Sequence, residues 1–156
     1  MIRMCRTPMS VTLSEYFVLS YWKRQPTGQE WVVQSALAIN HGALGVVPWN
    51  DPTTDDIKAS SSAFAKALPQ MKEFILSPSA SFQLVVSNRM HVGVWTVGRR
   101  SLILATNLNY NTTSFALASI RDLSVRKVSQ VFNSGAKLAG KEIELESVGT
   151  GAFIVS

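Results

Sequence analysis

The sequence predicts an α/β segment made of the last strand–helix units of a (β/α)8 barrel (a TIM-barrel remnant), followed by an all-β antiparallel sandwich. Three observations predict this. The run His41 to Thr54 reads as a helix end, a short apolar strand, an aromatic and two polar residues, and a new helix start. Apolar residues then recur at helical spacing from Ile57 to Ile75. Beyond Ser81 the pattern changes to short β-type runs separated by turn residues. The small-residue stretch Ser77-Pro78-Ser79-Ala80-Ser81 divides a partial barrel segment, 1–76, from a sandwich domain, 82–156.

Composition fits a globular chain. The 156 residues are 46% hydrophobic and 16% charged, enough for one domain or two small ones. The formal net charge is +5, but the only adjacent basic pairs are Lys23-Arg24, Arg99-Arg100 and Arg126-Lys127. A nucleic-acid binder gathers such residues on one face, so no nucleic-acid partner is expected. Cys5 is the single cysteine, which rules out an internal disulfide. No stretch approaches the ~20 apolar residues of a membrane span, so no membrane partner is expected. The cluster Tyr16 to Trp22 is short and its positive charges follow it, unlike a signal peptide. No cofactor is expected, and no metal-binding spacing stands out.

Taken in order, residues 1–10 show no periodicity, and Val11 to Leu19 reads as a strand. Thr27-Gly28-Gln29-Glu30 is a capping box opening a helix from Gly28 to about Asn40. Its buried face is expected at Trp31, Gln34 or Ser35, and Ala38, and Gly42 supplies the left-handed position after it. Ala43 to Pro48 lacks polar alternation, as a strand covered on both faces does. Thr53 or Thr54 caps the second helix, and Asp55 and Asp56 complement its dipole. Ile57, Phe64, Leu68, Met71 and Ile75 share one face, and Pro69 is expected to kink or break the helix near Leu68. The β-type runs are Phe82–Val86, Met90–Val97, Ser101–Asn107, Thr113–Ala118, Val125–Phe132, Lys141–Leu145 and Thr150–Val155. Two βα units cannot close an eight-stranded barrel, and an open remnant exposes sheet edges and apolar helix faces. The chain is therefore expected to be the C-terminal piece of something larger.

Several segments carry a family resemblance. They are Tyr21-Trp22-Lys23-Arg24-Gln25-Pro26-Thr27, the run Gln34 to Trp49, Leu104 to Tyr110, and Val148-Gly149-Thr150-Gly151-Ala152-Phe153. Together they resemble the C-terminal part of fungal secreted glycoside-hydrolase-like proteins, from Tyr21 to the end, while Met1 to Ser20 departs from the pattern. The resemblance implies a (β/α)8 barrel with a small C-terminal β-sandwich, a carbohydrate partner (an oligo- or polysaccharide) and an extracellular location. It also implies two catalytic carboxylates, on barrel strands four and seven. Strand four is missing, and Glu15 is the only acid near the expected strand seven. Glu15 is a weak nucleophile candidate that reads more readily as a solvated strand or loop acid. Lacking an acid pair, the chain is not expected to be catalytic alone.

Trp49 ends the expected last barrel strand, where an indole can stack on a pyranose ring or simply pack a loop. Asn50 and Asp51 can bond sugar hydroxyls or, preceding Pro52, serve turn chemistry. Trp22 offers a second wall. His41 reads as a helix-terminal residue satisfying the dipole. His91 lies in a β run without an Asp, Glu or Cys neighbour. Glu142, Glu144 and Glu146 alternate about 6.6 Å apart, a separation met in inverting glycosidases, but they read as the solvent face of an edge strand. Asn111-Thr112-Thr113 is an N-glycosylation sequon in a turn. A second reading is a non-catalytic carbohydrate-binding or packing module using Trp95 or Tyr110, although Trp95 sits among core-type valines. A third is a truncated gene product without a stable function.

Overall fold

The computed structural model describes residues 10–13, 24–48 and 53–156; for 10–13 and 48 the backbone alone is considered. Ser10–Leu13 forms strand β1, Gly28–Asn40 helix α1, Gly45–Pro48 strand β2 and Asp55–Ile75 helix α2. β1 and β2 pair in parallel, from Ser10 opposite Gly45 to Leu13 opposite Pro48, with α1 as the crossover between them.

The rest of the chain is antiparallel. Strands β3 (Ser81–Ser87), β4 (Met90–Val97), β5 (Arg100–Asn107), β6 (Thr113–Ala116), β7 (Val128–Ala139) and β8 (Glu142–Val155) form one sheet in the order β3-β4-β5-β8-β6, with β7 also on β8. β8 holds this sheet together. Its second half, Thr150–Val155, lies between β5 and the first half of β7. Its first half, Glu142–Leu145, lies between β6 and the second half of β7. The sheet folds over where these halves meet. There Val148 takes φ 45°, strained for a β-branched residue, and its N–H is held by the Asn109 carbonyl at 2.9 Å. The buried Asn107 amide donates to the Glu146 and Asn111 carbonyls, each at 2.8 Å, and so ties the corner to the following loop.

The result is three layers with two cores. Val92, Val94, Ile103, Ala105, Phe153 and Val155 face inward against Phe115, Ile143 and Leu145 of the folded-over part. On the other face Trp95, Leu102, Leu104 and Ala152 pack against Val32, Ala36 and Ile39 of α1 and Phe64, Met71 and Phe74 of α2. Strand alternation sends neighbouring residues into different cores.

The capping box forms as the sequence predicts. Thr27 Oγ1 accepts from the Glu30 N–H at 3.2 Å, and Glu30 Oε2 accepts from the Thr27 N–H at 2.8 Å. Thr54 caps α2 with one bond, its Oγ1 accepting from the Ile57 N–H at 3.3 Å, and Gly42 takes φ 96° after α1. Three expectations about the helices and β2 are corrected. α1 buries Val32, Val33, Ser35, Ala36, Ile39 and Asn40, whereas Gln34 is exposed and Trp31 and Ala38 are half-buried. The stripe is set one position further on because α1 must meet both α2 and the sheet. The break expected near Leu68 does not occur: α2 is one helix through Pro69, since burial of Ala67, Met71 and Phe74 on both sides outweighs the single backbone bond the proline lacks. β2 is not covered on both faces: Val47 is 53% exposed and neighbouring Leu44 59%.

The strand boundaries shift as well. Lys141–Leu145 and Thr150–Val155 are one strand, and β7 passes through the expected turn Asn133-Ser134-Gly135 by means of register shifts. Glu142 and Glu144 therefore lie on an internal strand, not an edge strand, though Ile143 and Leu145 do point into the core.

Gly93 shows how closely α1 approaches the sheet. A Cβ there would overlap Asn40 Oδ1 and come within 2.8 Å of Trp95 Cη2. Asn40 is fully buried, donating from Nδ2 to the carbonyls of His91 at 3.2 Å and Leu104 at 3.1 Å. Gly93→Ala is expected to lower stability by about 1–3 kcal/mol in urea unfolding, as overpacking does; an unchanged midpoint would show that the helix and sheet can separate freely.

Glu30 yields a pH prediction. Its carboxylate also accepts from Arg24 Nη1 at 2.7 Å and from the Tyr110 hydroxyl at 2.9 Å. The Arg24 bond, followed by the Thr27 N–H and Tyr110, outweighs partial burial and lowers the carboxyl from its ordinary 4.5 to about 2. A folded-state pKa below the unfolded one gives stability that is present above about 4.5 and lost as pH falls toward 2. Calorimetry between pH 5 and 2 is expected to show a smaller loss of Tm in Glu30→Gln than in the parent chain. Equal losses would remove Glu30 from the account.

Candidate functional site

Strand C-termini and helix N-termini meet at one end of the βα segment. Leu13 and Pro48, the last paired residues of β1 and β2, lie side by side because the two strands run parallel and in register. The N-termini of α1 and α2 are also adjacent: the Gly28 N–H donates to the Asp56 carboxylate, and a Cβ on Gly28 would overlap Ser60. One carboxylate thus sits at two helix N-termini, where its charge complements both dipoles. Tyr110, from the loop between β5 and β6, reaches the same region through Glu30 and Arg24. Its ring remains 72% exposed, and the bond to Glu30 holds its hydroxyl above the ordinary tyrosine pKa.

The residues expected to touch sugar lie outside the described residues. Trp49, Asn50 and Asp51 follow β2 directly in the chain, Glu15 follows β1, and Trp22 precedes α1. What the structure describes is the frame from which these segments depart. Asn111 is exposed in the turn before β6. Trp95 is 6% exposed and packs against Phe82 at 4.8 Å between ring centroids, so it offers no face to a sugar.

Elsewhere, Glu144 and Glu146 border a polar cleft of about 290 Å³ that also includes Asn133 and Lys137. Glu144 is ion-paired to Lys137 Nζ at 2.8 Å. An apolar cleft of about 330 Å³ lies beside the C-terminal end of α1, bordered by Ile39, His41, Ile75, Phe82 and Trp95.

His41 and His91 meet at that end. His41 Nε2 and His91 Nδ1 are 3.0 Å apart, with ring centroids 5.1 Å apart. The sequence expectation that His91 has no Asp, Glu or Cys nearby overlooked a second histidine 50 residues away as its partner. Burial first, and then the His41 charge, push the His91 pKa below its ordinary 6.5. Among the described residues no group of three or more His, Cys, Asp or Glu forms a metal cluster, and no helix is long and apolar enough to cross a membrane.

No protein-family model matches the chain, and no curated protein matches it. Solved structures do resemble it. A candidate alpha-galactosidase/melibiase from Bacteroides fragilis NCTC 9343 aligns with 87% of this chain at 16% identity and a TM-score of 0.61, over 30% of its own length. A candidate alpha-galactosidase from the same organism aligns with 85% at 15% identity and a TM-score of 0.58, over 29% of its length. The chain spans less than a third of either structure, and at these identities the likeness is one of fold.

Proposed function

We propose that this chain forms the C-terminal part of a carbohydrate-active barrel protein related to glycoside hydrolases, secreted and of fungal type, with β1 and β2 as the last two barrel strands. The observation carrying this reading is the in-register parallel β1–α1–β2 unit, followed by α2 and then an antiparallel sheet. The fold likeness to solved candidate alpha-galactosidases, over 85–87% of this chain, supports it. So does the β1–β2 pair, which has no further strand beside it among the described residues and leaves Val47 exposed, because a parallel strand of this kind is normally buried between neighbours.

In this reading the sugar meets the face at which β1 and β2 end. Trp49 stacks on a pyranose ring, Asn50 and Asp51 bond its hydroxyls, and Trp22 forms a second wall. Glu15 is the one acid near β1, and a glycosidase needs two; the chain binds sugar without cleaving it. Asn111 carries an N-glycan in the exported protein, in keeping with its exposed turn. A second reading, a carbohydrate-binding β module, is favoured by the exposed Tyr110 ring.

Calorimetric titration with galactose-containing oligosaccharides separates the two. Trp49→Ala is expected to weaken binding by about 1–3 kcal/mol, the value of a buried aromatic contact, while Tyr110→Ala leaves it unchanged. The reverse result would favour the module, and no binding by the parent chain would remove both. Aryl-galactoside turnover is expected to be absent; turnover abolished by Glu15→Gln would overturn the non-catalytic assignment.

A further inference from the structure

We propose that His41 and His91 form a two-imidazole site for a borderline transition-metal ion, taking Cu2+ ahead of Ni2+ and Zn2+. These are the only two histidines in the chain. The fold brings them together from the end of α1 and from β4, with His41 Nε2 and His91 Nδ1 3.0 Å apart. Two imidazole nitrogens that each lie about 2.0–2.1 Å from a shared ion are themselves about 3 Å apart when their bonds meet near a right angle. The observed spacing therefore admits an ion after a modest tilt of the rings.

Both residues are already held in place. The His41 N–H bonds back to the Leu37 and Ala38 carbonyls, each at 3.1 Å. His91 pairs with Val86 on one side and Thr106 on the other. Its carbonyl also accepts from Asn40 Nδ2 at 3.2 Å and Thr106 Oγ1 at 3.1 Å. The backbone share of the ordering cost of a chelate is met by the fold before any ion arrives.

In the neutral pair, one of the two facing nitrogens carries the shared hydrogen. On binding, that ring takes its other tautomer, so both facing nitrogens present lone pairs; its hydrogen joins the partner ring's in pointing away, leaving hydrogens on His41 Nδ1 and His91 Nε2. With two protein ligands, the other coordination positions fall to water or to donor atoms of a molecule in the adjoining apolar cleft, which His41 borders. Imidazole ligands favour Cu2+, Ni2+ and Zn2+ over the oxygen-seeking Mg2+ and Ca2+.

The test uses the untagged full chain carrying Cys5→Ser, which removes the one competing thiol. Titration with Cu2+, Ni2+, Zn2+ or Mg2+ alone is followed by calorimetry and by Tm. The expected result is one Cu2+ per chain with a raised Tm, weaker effects from Ni2+ and Zn2+, and none from Mg2+. His41→Gln and His91→Gln are each expected to weaken Cu2+ binding by on the order of tenfold or more. Electron paramagnetic resonance of the Cu2+-loaded parent chain counts coordinated imidazole nitrogens without any histidine variant. Two nitrogens support the site. One or none, or undiminished binding in the double variant, overturns it.

Discussion

Burial of both faces of β5 and of the second half of β8 is the constraint from which the rest of the structure follows. Leu102 and Leu104 face the helices while Ile103 and Ala105 face the folded-over strands, and all four are fully buried. A sheet buried on both sides needs a cover on each face. The helices supply one, and the part of β6, β7 and β8 folded over at residues 146–149 supplies the other. This explains why β8 is long enough to serve in two places and why a strained Val148 is tolerated at the corner.

The helical cover is more than an apolar face laid on a sheet. Asn40 enters the sheet and bonds two of its carbonyls, and Gly93 has no side chain where that amide arrives. The Asn40 Oδ1 is left without a partner, a polar cost accepted for close approach. At the other end of α1, Tyr110 and Arg24 converge on Glu30 and fasten a β-sheet loop to a helix N-terminus. α1 is thus anchored at both ends to the β layer, which fixes the direction in which β1 and β2 present their ends.

Local chemistry was legible in the sequence, and long-range geometry was not. The capping box at Thr27 to Glu30, the Thr54 cap and the Gly42 helix end were readable because each involves residues within a few positions of one another. The continuity of α2 through Pro69 was hidden because it depends on tertiary burial of Met71 and Phe74. β8 read as two strands because its corner residues resemble a turn, and only pairing with β5, β6 and β7 makes it one. His41 and His91 carry no shared motif, since their proximity comes from docking α1 on β4. The expected sugar contacts at Trp22, Trp49, Asn50 and Asp51 lie in segments outside the described residues, so the sequence remains the source for their roles.

The position of β8 in the chain has a consequence for biosynthesis. All three of its partners, β5, β6 and β7, precede it in sequence. A ribosome therefore delivers the strand that joins them after they have emerged. Until then the apolar edges of β5 and β7 face the nascent-chain environment unpaired, the state in which strands most readily associate with foreign edges. Folding of the β layer is thereby deferred until β8 clears the exit tunnel, and a premature stop within it would release a chain whose two cores both lack the β8 part of their shared wall.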